Sequence, residues 1–348
     1  MTELLVEALA SYDRALGDGD TSAVTELVTA LLAAGHEPVT VLTEVVAAAQ
    51  RAVGVRWQRG EWTVAQEHAA TAMAVSATRT VRAHADAIPV SRGGVIVACA
   101  EREWHALPAM IIECALRVHG FDTVLLGAST TPSRLNQHLL DHGPEAVAVS
   151  CSVLGALPTT RRFIEASTAA GVPIAVGGPA FGSDDSRARA LGATAWAPDA
   201  RSAVEVVAGL PAVVSPAARI PAAAATEVAA LELDHRRLVA SMQQRWSLLA
   251  QYASSGDDAL RAALEVSGDV LHQALHAVTA AVLTGDSRTV TDTAWWIGDL
   301  LATRGVGASA VAELGQLLSA TLRDFPLARG LVEEFFVVSD GAGAATDR

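Results

Sequence analysis

The chain has 348 residues, 51% of them hydrophobic and 18% charged, with a formal net charge of −13. This size and apolar content predict two or three domains with buried cores, not a disordered chain. The acidity argues against direct nucleic-acid binding, which needs a basic face, and the longest basic clusters are the pairs Arg161-Arg162 and Arg236-Arg237.

Residues 1–88 read as a four-helix bundle. Leu4, Leu5, Ala8, Leu9 and Tyr12 form a helical stripe, and Gly17-Asp18-Gly19-Asp20 is a turn. Thr21 or Ser22 is the expected cap of a second helix carrying Val24, Leu27, Leu31 and Leu32. Pro38 opens a third helix, and after the interruption Gly60-Glu61-Trp62-Thr63 a fourth runs from Val64 to Ala85.

Over 92–212 short apolar strands alternate with helices. Strands are expected at 94–100, 122–126, 145–151, 173–176 and 194–196, with helices at 107–119, 132–141, 157–170, 184–191 and 200–208. Nearly continuous apolar strands between helices predict a parallel sheet covered on both faces, of flavodoxin-like or Rossmann-like type. The Pro- and Ala-rich stretch 213–225 reads as a linker. Residues 226–338 read as an all-helical domain, with helices at 226–254, 257–284, 286–304, 308–324 and 327–337, and Asp340–Arg348 as a frayed tail. The fold class is thus multidomain, α followed by α/β followed by α.

The polar loop Glu101-Arg102-Glu103-Trp104-His105 leaves the first strand at its carboxyl end, where open α/β sheets bind ligands. Ser150-Cys151-Ser152 ends the third strand and Gly177-Gly178-Pro179 the fourth, so all three loops fall on one sheet edge. His105 is therefore a candidate axial metal ligand. A lone histidine there would more often be structural, but the serines and paired glycines in this order favour a cofactor site.

This pattern resembles the cobalamin-binding fold, with its acid-x-His-x-x-Gly signature, serine strand end and double glycine. The resemblance implies that His105 ligates cobalt from below, that Glu103 orients it, and that Ser150, Ser152, Gly177 and Gly178 line the channel for the nucleotide tail, with Trp104 on the same loop. Pro108 stands where the family has glycine, which places the loop path in question. Bundle followed by sheet is also the order of corrinoid methyltransferase modules and of cobalamin photoreceptors. Trp57, followed ten residues later by Glu67-His68, resembles the cap of CarH-type photoreceptors, which implies that these three residues shelter an adenosyl group. Gln58 replaces the histidine that follows the tryptophan in that family. The chain shows no basic helix-turn-helix ahead of the bundle, so output is expected through the C-terminal domain, a partner or oligomer state.

In the C-terminal domain, Trp295-Trp296 are adjacent and point about 100° apart on a helix. His272 and His276 share a helix face; that spacing suits a metal, but with no third ligand evident they are read as core or solvated histidines. His235, Arg236, Arg237 and Arg245 either form a solvated face or hold tetrapyrrole propionates. A cobalamin domain with such a tail resembles the photocobilins, which implies biliverdin as a second chromophore, held noncovalently because no cysteine follows Cys151.

The expected function is a light sensor binding adenosylcobalamin, a regulator and not an enzyme; the alternative is a corrinoid carrier for methyl transfer. A homo-oligomer, a dimer in particular, and a downstream protein partner are expected, with neither nucleic acid nor membrane. No apolar run is long enough to span a bilayer, and Met1-Thr2-Glu3 lacks the order of a signal peptide. Cys99, Cys114 and Cys151 suit buried thiols in a reducing compartment, so the expected location is cytoplasmic.

Overall fold

A computed structural model describes residues 3–246 and 258–336, with side chains from residue 264 in the second stretch. The expected helical residues 247–254 and the tail Asp340–Arg348 lie outside the described residues. The chain divides into two compact units, Met1–Ala218 and Arg219–Arg348, and the division falls inside the stretch read as a linker.

Unit 1 opens with α1 (Glu3–Asp18) and α2 (Thr21–Ala33). The cap of α2 is Asp20, not Thr21 or Ser22: Asp20 Oδ1 accepts from Ala23 N at 2.9 Å. Gly19 at φ +71° turns the chain so that Asp20 is the residue that reaches the first turn. α3 (Pro38–Thr40) continues through a π-helical Val41–Val46 into α4 (Ala47–Gln58). Val41, Leu42, Val45 and Val46, at i, i+1, i+4 and i+5, are all buried in the core. α5 (Val64–Ala85) starts on a capping box between Thr63 and Gln66.

The sheet is formed by β1 (Gly94–Ala100), β2 (Asp122–Thr130), β3 (Ala146–Ser150), β4 (Ile174–Gly177) and β5 (Ala195–Ala197), all parallel, in the order β2-β1-β3-β4-β5. Helices α6 (Ala106–Val118), α7 (Pro132–His142), α8 (Leu157–Ala169), α9 (Ser186–Ala190) and α10 (Ala200–Ala208) complete the layers.

The pivotal helix is α6, because it is buried on two faces. Leu107, Ile111 and Cys114, at i, i+4 and i+7, join the bundle core with Val46, Val53, Ala77 and Val81. Ala109, Ala115 and Leu116 pack on the sheet with Val95, Val97 and Cys99. Two polar ties set the direction. Arg82 Nε of α5 donates to Glu113 Oε1 at 2.8 Å, and Arg117 Nη2 donates to Ile88 O at 2.6 Å. Arg82 on α5 and Ile88, three residues past its end, meet Glu113 and Arg117 in the same order, so α5 and α6 run parallel. Glu113 also accepts from Thr123 Oγ1 on β2, so one buried carboxylate joins bundle, helix and sheet.

At the β4 end, a Cβ on Gly177 would lie 2.5 Å from Ala197 O, and one on Gly178, at φ +102°, 2.4 Å from Cys151 O. The sheet's own backbone therefore requires both glycines. Gly178→Ala is expected to destabilise unit 1 by about 2–3 kcal/mol, read as a lower denaturation midpoint; an unchanged midpoint would show that the strand end can open.

Unit 2 contains α11 (Ala222–Arg245), α12 (Asp258–Thr284), α13 (Arg288–Ala302), α14 (Ser309–Thr321) and α15 (Pro326–Phe335). α11 begins four residues earlier than its sequence pattern suggests and ends at Arg245, where Trp246 turns extended. The buried Trp246 ring donates Nε1–H to Ala310 O at 3.3 Å. The buried Glu227 carboxylate on α11 caps α15 from outside, accepting from Leu327 N at 3.1 Å and Ala328 N at 2.6 Å. Among the described residues no helix is long and apolar enough to cross a membrane.

Candidate functional site

The strand order reverses between β1 and β3, and the crevice at such a switch point is where open sheets take ligands. Glu103, at the exit of β1, reaches across it. Its side chain is 0% exposed. Glu103 Oε1 accepts from His105 N at 2.8 Å and meets His105 Nδ1 at 2.6 Å, while Oε2 accepts from Ser152 N and from Val153 N at 3.0 Å. One carboxylate thus fastens the loop after β1 to the loop after β3.

Burial opposes the charge on Glu103, but the His105 ring and the N–H groups of His105 and Ser152 outweigh it, so its carboxyl ionises below the ordinary range. His105 is displaced upward: the bond to Glu103 raises its pKa, burial opposes, and the charges of Glu103 and then Glu67 raise it further. The His105 side chain is 61% exposed. With Nδ1 held by Glu103, Nε2 is the nitrogen offered to a metal, as when a carboxylate orients a ligating imidazole.

The loop is held in an unusual backbone shape. Arg102 (φ 74°) and Ser129 (φ 46°) are the non-glycine residues at positive φ among the described residues, and they touch: Arg102 N donates to Ser129 Oγ at 3.3 Å and Ser129 N to Glu103 O at 2.8 Å. The β1–β2 register shifts beside them. Strain of this kind persists where surroundings enforce it, commonly at functional sites. His105 occupies the N-cap position of α6, and Pro108 falls in the first turn, where its missing N–H removes one of the unpaired donors at no cost. Pro108 therefore leaves the start of α6 regular.

Along the sheet edge, Cys99, Ser150, Gly177 and Ala197 are laterally paired across β1, β3, β4 and β5. Ser150 is buried, and its Oγ has no hydrogen-bond partner; neither has the buried Nε1 of Trp196 on β5. Buried polar groups are normally satisfied, so the orphaned Ser150 hydroxyl at this edge fits a polar group inserted there, while Trp196, paired with Val176, projects from the other face of the sheet. Ser152 contributes its backbone N–H to Glu103. Trp104 is 74% exposed beside His105. Burial holds the Cys99 and Cys114 thiols up at about 12 and pushes Cys151 up as well, so all three stay protonated and unreactive.

The bundle places its own residues above His105. Glu67 precedes Arg82 by 15 residues, and His105 precedes Glu113 by 8. With the helices parallel, α5 overhangs the start of α6 by about 10 Å at about 1.5 Å per residue. Glu67 thereby stands beyond His105 and near enough for its charge to act on the ring. Glu67 Oε1 accepts from Thr71 Oγ1 at 2.9 Å, and Thr71 Oγ1 accepts from Gln50 Nε2 on α4 at 2.6 Å. Trp57 lies seven residues after Gln50, on the same face of α4, and is half-buried at this same end. His68 is exposed, with Nε2 3.4 Å from Glu67 Oε2. Trp62 instead packs on the bundle core with Arg56 over its ring at 4.4 Å, and Arg56 pairs with Asp13, so its role is structural.

Residues 93–208 match the family model of a B12 binding domain, and residues 8–81 match a second model with the same description. Unit 1 is a cobalamin-binding module. The monomethylamine corrinoid protein of Methanosarcina barkeri shares the fold of the module at 20% identity, with a TM-score of 0.50 over 57% of this chain and 96% of that one. Two further structures align more loosely. The methanol:cobalamin methyltransferase complex MtaBC of M. barkeri has 19% identity and a TM-score of 0.32 over 60% and 82% of the two chains. A cobalamin-binding protein of Desulfitobacterium hafniense DCB-2 has 20% identity and 0.32 over 57% and 95%. No curated protein sequence matches the chain.

The donor set of the module fits a corrinoid: an oriented imidazole below, a polar overhang above, and an orphaned buried hydroxyl, Ser150 Oγ, at the edge where a tail would enter. Sequence reasoning missed the Gln50–Thr71 support of Glu67, which depends on the antiparallel pairing of α4 with α5. In unit 2 the structure separates what the sequence grouped. Arg237 pairs with Asp234 at 2.7 Å on the surface, Arg236 and Arg245 are exposed, and His235 turns to His272, its Nε2 2.7 Å from His272 Nδ1. Trp295 is exposed and Trp296 half-buried.

Proposed function

We propose that the cobalamin module holds a corrinoid between His105 below and the Trp57/Glu67/His68 end of the bundle above, and acts as a corrinoid carrier serving a protein partner. The observation that carries this is the Glu103 bridge, which presents His105 Nε2 at the switch-point crevice. When bound, the corrinoid would supply a cobalt–carbon bond whose breaking hands its carbon group to an acceptor or releases it. The protein's share is to orient the imidazole, seat the tail by Ser150, Ser152 and the β4 end, and exclude water under the overhang. The likeness of the whole module to a monomethylamine corrinoid protein supports the carrier reading over a catalyst acting alone.

A second reading is favoured by the upper side. The Glu67–Thr71–Gln50 chain and the half-buried Trp57 make a roof that suits a large adenosyl group and hence a cytoplasmic light sensor, with output through a partner or a change of homo-oligomer. The noncovalent biliverdin of that reading, in unit 2, rests on the resemblance to photocobilins. One experiment separates the two. The chain is loaded in the dark with methylcobalamin or adenosylcobalamin, and absorbance is followed before and after illumination, with gel filtration and added biliverdin. A carrier binds both forms and keeps its hydrodynamic size in light. Preferential binding of adenosylcobalamin, with a light-driven change of size, overturns the carrier in favour of the sensor; failure to bind either form overturns both.

A further inference from the structure

We propose that His235, His272 and His276 of unit 2 form a binding site for a divalent transition-metal ion of the zinc class. The site shares no residue with the corrinoid site and does not depend on its occupancy.

His272 and His276 lie one turn apart on α12, so their rings project from one face. The third ring comes from α11, which packs along α12. Ring nitrogens of all three residues lie within 4.8 Å of one another. The His235 ring stacks between the others, 4.3 Å from His276 and 5.0 Å from His272 between centroids. Leu231, Leu238 and Val239 on α11 and Leu271 and Leu275 on α12 are buried around them, which fixes both helix faces.

Packing alone gives little reason for this choice of residues. Three imidazoles converging on one point would repel one another if protonated, and apolar side chains would fill the same space at lower cost. A bound cation removes that conflict. Neutral imidazole is a borderline donor suited to zinc, copper and nickel more than to magnesium or calcium. Zinc–nitrogen bonds of about 2.0–2.1 Å in a tetrahedral site put ligand nitrogens about 3.3 Å apart. The nitrogens therefore need only small ring rotations: His235 and His272 part slightly from their 2.7 Å contact, and His276 closes in. Half-buried His272 and His276 leave a path for the ion. Three protein ligands leave a fourth position for water or an exogenous group, the arrangement of open zinc sites.

The test uses the full chain with cobalamin bound, so that cobalt and zinc are counted separately. After equilibrium dialysis against zinc and elemental analysis, one zinc per chain is expected. His235→Ala, His272→Ala and His276→Ala should each lower zinc affinity tenfold or more, and the double variant His272→Ala/His276→Ala should lose stoichiometric zinc. His84→Ala, at an exposed histidine outside both sites, should retain it. Circular dichroism of metal-free samples reports folding, and His272→Gln serves if the alanine variants unfold. X-ray absorption at the zinc edge needs no variant: three imidazole nitrogens are expected in the shell. Absence of stoichiometric zinc, an oxygen-only shell, or unchanged affinity in the double variant would overturn the site.

Discussion

His105→Ala lowers the affinity of the protein for cobalamin by at least about a hundredfold and changes the absorption spectrum of whatever remains bound from histidine-ligated to base-on. The magnitude follows from comparison: losing a group that only orients a metal ligand costs about 10–100-fold, and here the ligand itself is lost. His105 is also suited to removal without collapse. Its ring is 61% exposed, and its backbone, which caps α6, is kept by alanine. Titration with methylcobalamin, monitored by absorbance, reads both quantities. Wild-type affinity with a wild-type spectrum would remove His105 from the cobalt site and leave it as a surface histidine.

The second large effect falls on Glu103. Glu103→Ala removes an acceptor serving four N–H groups, three on the backbone and one on the His105 ring, in a place without water access. Leaving buried donors without a partner costs about 1–3 kcal/mol, so a clear fall in the denaturation midpoint of unit 1 is expected. Glu103→Gln keeps the shape and removes the charge. In the corrinoid-free protein it should lower the pKa of His105 toward an ordinary imidazole, measured by NMR titration, while cobalamin affinity falls about 10–100-fold.

The sign of the pH effect is fixed by the two shifts. The raised pKa of His105 contributes stability that is complete below its unfolded value and is lost as pH rises through the folded value. The lowered pKa of Glu103 contributes stability present above its unfolded value and lost as pH falls through the folded one. The corrinoid-free module is therefore held best by this pair between those limits. An unshifted His105 in the wild type would show that Glu103 is a structural tie and not a tuning group.

Legibility differed by the range of the interaction concerned. α5 is readable from Thr63 to Ala85 because the capping box and the apolar stripe are local. β1 is readable because Gly94–Ala100 is an apolar run flanked by breakers. The placing of His105 at a carboxyl strand end follows from the same local pattern with the right-handed strand-helix-strand rule. The cap of α2 was misjudged by one residue because Asp20, Thr21 and Ser22 are all competent caps, and the turn at Gly19 selects among them. The spacing to Glu67-His68 singles out Trp57, but what Trp62 does is not visible in sequence. Arg56 and Asp13 decide the matter, and that pairing spans 43 residues of chain.

The same division holds for the sites. Glu103 and His105 are two residues apart, so sequence alone suggests their pairing. That Glu103 also binds Ser152 and Val153, and so fuses two loops, is settled by the adjacency of β1 and β3. The double glycine is visible in sequence as a place for close approach. The structure shows that the approaching groups are carbonyls of the sheet itself. In unit 2 the pair His272 and His276 is a matter of helical period, whereas His235 joins them only because α11 packs on α12, 37 residues away along the chain. Sequence by itself determined the elements, their alternation and the residues carried at each strand end, because those depend on neighbours within a few residues. Tertiary structure decided which of these residues meet, because only burial of apolar faces against distant partners brings them into contact.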